Sequence, residues 1–183
     1  MKIGANQRKR IILVREGWPI TAPRRKIDAA SEAAHHVALQ LCGEFLSSGI
    51  SSHMLVHTSV REGACAVGRV YAKTLGARHV MVSSLPTARR EMPDDFTAHV
   101  QQVRAHITMH LQTCDTFVVC IDHQMIAMLV TDFSRTMSGD CMRMPEVLDP
   151  GEACVVEMDG SFKLELYRHR SVAETAAVEC AMA

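Results

Sequence analysis

The sequence predicts an α/β fold: a three-layer sandwich with a mostly parallel central sheet, helices on both faces and a C-terminal antiparallel hairpin. Three observations predict it. Short apolar runs alternate with longer stretches of helical spacing along most of the chain. The strand-then-helix order recurs four times, and successive strands joined by helices lie parallel. Asp159-Gly160, between two strand-like segments, then gives the strongest hairpin signal in the chain.

Each element has its own warrant. Ile11–Val14 is a continuous aliphatic run, the pattern of a strand buried on both faces. Thr21–Lys26 reads as loop, with Pro23 and three basic residues. From Ile27 to Leu46 the apolar positions Ala30, Ala34, Val37, Leu41 and Phe45 recur with helical spacing, and Ser47-Ser48-Gly49 closes the run. Met54–Val56 is a second strand. Ser59, with Glu62 three residues later, matches a capping box and opens a helix that runs to about Leu75 and stops at Gly76. His79–Val82 is a third strand, Ser83–Asp95 a polar loop with Pro86 and Pro93, and Phe96–Leu111 a helix. Thr116–Ile121 is a fourth strand and Gln124–Val130 begins another helix. Ser134–Pro150 reads as irregular; the methionines read as core filler, though Met137, Met142 and Met144 could line a lid or a partner surface. Ala153–Met158 and Phe162–Tyr167 form the hairpin. The expected organisation is one domain over residues 1–183, with its core at about 10–167 and a tail at 171–183.

Composition excludes several function classes. The chain has 183 residues, 48% of them hydrophobic, with 20 Lys plus Arg against 20 Asp plus Glu. That balance gives no electrostatic footprint for nucleic acid, and aromatics at 4% give no stacking platform. No apolar run approaches the roughly 20 residues of a membrane helix, and the basic N-terminal stretch is not followed by the apolar core of a signal peptide. The seven cysteines are odd in number, dispersed, and without zinc-ligand spacing. A soluble protein of the reducing cytoplasm is the expectation.

Three strand-to-helix corners carry the charged groups. Arg15-Glu16-Gly17 follows the first strand, Arg61 lies in the first turn of the helix after the second, and His123 follows the fourth. Ligands of doubly wound folds bind at such corners, where backbone N–H groups and cations together suit an anion. Read singly, Arg61 is a surface arginine and His123 a helix-cap histidine; their common register with Arg15 favours a shared site.

These segments resemble the signatures of the histidine phosphatase superfamily, also called phosphoglycerate mutase-like. In that family the first strand ends in Arg-His-Gly, and the histidine is phosphorylated during turnover; here Glu16 holds that position. The family's second segment, Ser-Pro-x-x-Arg-Ala-x-Gln-Thr-Ala, is similar to His57–Ala66, which keeps the arginine as Arg61 and the final alanine. It lacks the proline and has Cys65 for the threonine. Phe117–Gln124 resembles the third segment, an apolar strand followed by a histidine, and Leu148–Glu152 the entry to the closing strand. The match covers residues 10 to 167, and the length is most similar to the small single-domain phosphohistidine phosphatases.

The resemblance implies that Arg15 and Arg61 clamp a phosphate and that His123 stabilises its oxygens. The nucleophile does not carry over. A carboxylate facing a phosphate about 4 Å away is repelled by roughly 4 kcal/mol per unit charge at the effective dielectric near a protein surface. Glu16 is therefore expected to pair with Arg15, Arg61 or His123 and fill the space itself. The general acid of the family lies in the loop after the third strand, where Glu91, Asp94 and Asp95 are the candidates. The leading expectation is a catalytically degenerate relative that keeps a phosphate-type pocket and serves as a binding or regulatory module. Its ligand would be a phosphorylated small molecule or a phosphoprotein, or it would engage a protein partner. The alternative is an active phosphatase using Glu16 as nucleophile or base. No cofactor is expected, and no nucleic-acid or membrane partner.

Histidines supply one further pattern. His99, His106 and His110 share a helical face, and His106/His110 at i, i+4 could chelate a metal. Lacking a carboxylate or a third fixed ligand, they read as a solvated face, and no metal is expected. His35-His36 reads likewise. Cys65, near a helix start, reads as a buried packing residue in preference to a reactive thiol.

Overall fold

Ile11, Ile12, Leu13 and Val14 are fully buried because β1 (Lys9–Arg15) lies inside the sheet and is covered on both sides. Alternation decides which layer each one meets. Ile11 and Leu13 face one core with Phe117, Val119 and Ile121, while Ile12 and Val14 face the other with Val118 and Cys120. The computed structural model describes residues 9–47, 54–83, 85, 93–158 and 161–169, with the backbone alone for 93–96.

The other elements are α1 (Arg24–Ser47), β2 (Met54–Thr58), α2 (Glu62–Leu75), β3 (Arg78–Met81), α3 (Pro93–His110), β4 (Thr116–Ile121), α4 (His123–Ser138), β5 (Ala153–Met158) and β6 (Phe162–Tyr167). The sheet order is β3-β2-β4-β1-β5-β6. The first four strands pair in parallel, and β5 joins β1 antiparallel, with β6 antiparallel to β5. Residues of α1 and α2 fill one core and residues of α3 and α4 the other. The α/β sandwich with a C-terminal antiparallel pair is therefore the fold observed. No described helix is long and apolar enough to cross a membrane.

Several boundaries differ from expectation, for identifiable reasons. The capping box at Ser59 is not used: Ser59 Oγ accepts from the Arg61 amide at 3.4 Å, and α2 starts at Glu62 with Arg61 as an N-cap that makes no side-chain cap bond. The helix starts beyond the turn that carries the signal, and Arg61 precedes it. Gly76 closes α2 in the left-handed conformation, as expected. Arg24, Arg25 and Lys26 belong to α1, which follows Pro23 directly, so the expected loop there is shorter. Pro93, Asp94 and Asp95 open α3 and do not lie in a loop. Residues 134–138 continue α4 up to Gly139, so the irregular stretch is shorter than expected. Met137 and Met144 pack on the core, leaving Met142 as the exposed one of the three. The turn at Asp159-Gly160, the close of the first helix at Ser48-Gly49 and the tail at 171–183 lie outside the described residues.

Two buried charges tie β1 to its antiparallel neighbour. Arg10 Nε donates to Glu157 Oε1 at 2.6 Å, both side chains are under a tenth exposed, and the guanidinium also stands 5.4 Å from the Phe45 ring centroid. Breaking such a pair strands a buried charge. Glu157→Ala is therefore expected to lower unfolding free energy by about 3–5 kcal/mol in urea denaturation. The exposed Gly43→Ala, where an added Cβ meets nothing within 4 Å, should raise it by about 0.5–1 kcal/mol.

Candidate functional site

Three backbone hydrogen bonds assemble the corner at the end of β1. The Arg15 amide donates to Glu152 O at 2.9 Å, the Glu16 amide to Ile121 O at 2.9 Å and the Gly17 amide to Gly63 O at 3.2 Å. In return Arg15 O accepts from the Gly151 amide at 3.0 Å. The chain after β1 is thus held against the end of β4, the start of α2 and the entry to β5 at once. Glycine is needed at the crossing: a Cβ on Gly63 would lie 2.2 Å from Gly17 O. Tyr71, fully buried, donates its hydroxyl to Gly151 O at 2.9 Å and anchors α2 to the same place.

This scaffold brings together Arg15, Glu16, Arg61 and His123. Arg61 Nη1 donates to Glu16 Oε1 at 2.8 Å; the carboxylate is mostly buried and the arginine side chain 44% exposed. Arg15, half-buried, donates through Nη1 to Leu148 O. Asp122 caps α4 by accepting from the Met125 amide at 3.0 Å, which places His123 at the first helical position. His123 Nδ1 is buried without a hydrogen-bond partner among the described residues.

The electrostatics follow from this crowding. Burial pushes the Glu16 carboxyl above its ordinary value of 4.5, against the pull of Arg61; Asp122 adds to the rise and Arg15 opposes it. Burial and then the Arg15 charge push His123 below its ordinary 6.5, with Asp122 opposing. The cationic form of His123 is thus disfavoured, and its buried Nδ1 has no hydrogen-bond partner among the described residues.

Of the candidate general acids, Glu91 lies outside the described residues. Asp94 and Asp95 sit in the first turn of α3, and their side chains are likewise outside them. Cys65 is buried, its thiol directed to Ser59 O at 3.2 Å, as a packing residue would be.

The histidines of α3 do not form a solvated face. His106 and His110 are half-buried, and His57 of β2, itself 4% exposed, packs against both. His57 Nδ1 and His106 Nε2 are hydrogen-bonded at 2.9 Å. The i, i+4 pair was visible in the sequence, but its partner lies 49 residues away and only the sheet brings it there.

No protein-family model and no curated protein matches the chain. Solved structures do. It superposes on a putative α-ribazole-5'-phosphate phosphatase from Escherichia coli with a TM-score of 0.55 at 18% identity, covering 90% of this chain and 98% of that one. A putative phosphohistidine phosphatase from Nakamurella gives 0.55 at 13% identity, over 90% and 97%. A mycobacterial glucosyl-3-phosphoglycerate phosphatase gives 0.59 at 9% identity, over 90% and 100%. At such identities the likeness is one of fold alone.

The raised carboxyl has a stability consequence. Between 4.5 and its folded value, Glu16 binds more protons in the native state than in the unfolded one. Its contribution is therefore greatest below 4.5 and is lost as pH rises through the folded value. In parallel urea denaturations, the stability of wild type relative to Glu16→Gln is expected to decline with rising pH across that window; a rise would contradict the account.

Proposed function

We propose that the chain is a catalytically degenerate relative of the histidine phosphatases, a binding or regulatory module built around a phosphate-type anion pocket. The observation that carries this reading is the Glu16–Arg61 ion pair at 2.8 Å, in the corner where the resemblance puts the phosphate and its nucleophile. Arg15, Arg61 and the orphaned His123 Nδ1 are the groups an oxyanion would engage. That these structural neighbours are named as phosphatases supports a phosphate-related role.

Glu16 changes what that pocket does. An imidazole can accept a phosphoryl group and release it to water. A carboxylate already bonded to Arg61 neutralises one of the two clamping cations and repels the incoming dianion. A ligand enters when it displaces Glu16 from Arg61 and offers the arginine a better anion. That exchange makes Arg61, the more exposed partner, the element whose position reports occupancy. The ligand class is a phosphorylated small molecule or a phosphoprotein.

The burial that holds the Glu16 carboxyl above its ordinary value favours a second reading. A carboxylate beside two arginines could attack phosphorus and form an acyl phosphate, or serve as base for water.

One assay separates the two. Wild type, Glu16→His and Arg15→Ala are compared on a generic phosphomonoester and a phosphohistidine peptide. Wild type is expected to stay at background, with turnover appearing in Glu16→His at least about tenfold higher, a barrier change of about 1.4 kcal/mol. Substantial wild-type turnover that Arg15→Ala abolishes would overturn the degenerate reading and establish the carboxylate route.

A further inference from the structure

We propose that His57, His106 and His110 form a binding site for a divalent transition-metal ion of the zinc class, with a fourth coordination position open to water. One ring nitrogen from each of the three lies within 4.8 Å of the others, and among the described residues this is the group of side chains so placed. Neither a carboxylate nor a thiol belongs to the group.

The donor set fits the ion. Imidazole nitrogen suits zinc, copper, iron and nickel, and three histidines with one open position is a recurrent arrangement for zinc. Bonds of 2.0–2.1 Å in a tetrahedral shell put neighbouring nitrogens about 3.3 Å apart. Here one nitrogen of each ring lies within 4.8 Å of the others, and His57 Nδ1 stands 2.9 Å from His106 Nε2, so modest rotations of the rings would reach that spacing. Metal would replace the shared hydrogen. Each ring is then neutral, with its one proton on the nitrogen away from the ion, so no net proton need leave.

The surroundings are those of a built site. His106 and His110 stand one turn apart on α3, and His57 comes from β2, so the ligands bridge helix and sheet. Phe117 of β4 backs all three rings: His110 stacks on it at 3° and 5.2 Å, and His57 meets it edge-on at 4.9 Å. That apolar floor fixes ring orientation and shields one side from water, while the partial exposure of His106 and His110 leaves a path for entry. His57 is also four residues before Arg61 on the segment that leads into the anion pocket, so a bound ion would stiffen the strand that sets that arginine.

The test uses the full chain, stripped with chelator and titrated with Co2+ and then Zn2+. Expected is one Co2+ per chain, with ligand-field bands and no thiolate charge-transfer band, displaced by one Zn2+. His106→Gln and His110→Gln, checked for folding by circular dichroism, should each weaken binding at least about tenfold, since even loss of a group that hydrogen-bonds to a ligand costs about 10–100-fold. His99→Gln, on the same helix but outside the cluster, should bind as wild type does. Independently of any variant, one equivalent of Zn2+ should raise the thermal midpoint of wild type, reversed by EDTA. Failure of wild type to bind stoichiometrically at micromolar metal would overturn the proposal. So would a thiolate band, or binding unchanged in both His106→Gln and His110→Gln.

Discussion

Three consecutive backbone amides, those of Arg15, Glu16 and Gly17, donate to carbonyls in three different segments, at Glu152, Ile121 and Gly63. Everything at the candidate site depends on that arrangement. A central parallel strand shares its edges with β4 and β5, so its exit is the one place where the ends of neighbouring strands and the start of α2 come within hydrogen-bond reach. The pinning leaves the chain after β1 little freedom and sets the Cα positions from which Arg15, Glu16, Arg61 and His123 converge. Side-chain identity can change at such a corner without disturbing its backbone, because the carbonyls and amides do the holding.

Glu16 is the case in point. Two cations, Arg61 and Arg15, lie near its carboxylate and pull against the burial that raises it. The protein supplies an anion of its own there, through the Glu16 carboxylate on Arg61. The partial burial that raises the Glu16 carboxyl and lowers His123 makes the corner sensitive to charge, since less water screens it. On the proposed reading, the same residues keep affinity for an anion while the group that would carry a phosphoryl is missing.

Much of this was legible in the sequence, and the parts that were not share a cause. Thr116–Ile121 was readable to the residue, since Phe117–Ile121 is the unbroken apolar run of a strand buried on both faces. The corners at Arg15 and His123 were readable because strand-to-helix order fixes where they lie. Ser59 misled, because a capping box records only local preference: the Gly17–Gly63 contact lies four residues on, and the helix begins after Arg61. The end of α4 was obscured by Ser134 and Thr136, polar residues whose hydroxyls bond back to Thr131 O and Asp132 O within the helix. His57 gave no sign of its partners: a single histidine in a strand acquires meaning only when a distant helix crosses it. Features set by one element were visible; of those set by the meeting of two, a partner for Glu16 such as Arg61 was expected and the partners of His57 were not.

The central claim is that the Glu16 carboxylate occupies the anion site by holding Arg61. Equilibrium binding of inorganic phosphate to wild type and to Glu16→Gln, measured by calorimetry at pH 7.5 and low ionic strength, tests it most directly. The account predicts affinity at least about tenfold higher in Glu16→Gln, a difference of about 1.4 kcal/mol, abolished when Arg61→Ala is added. Equal phosphate affinity in wild type and Glu16→Gln would contradict it.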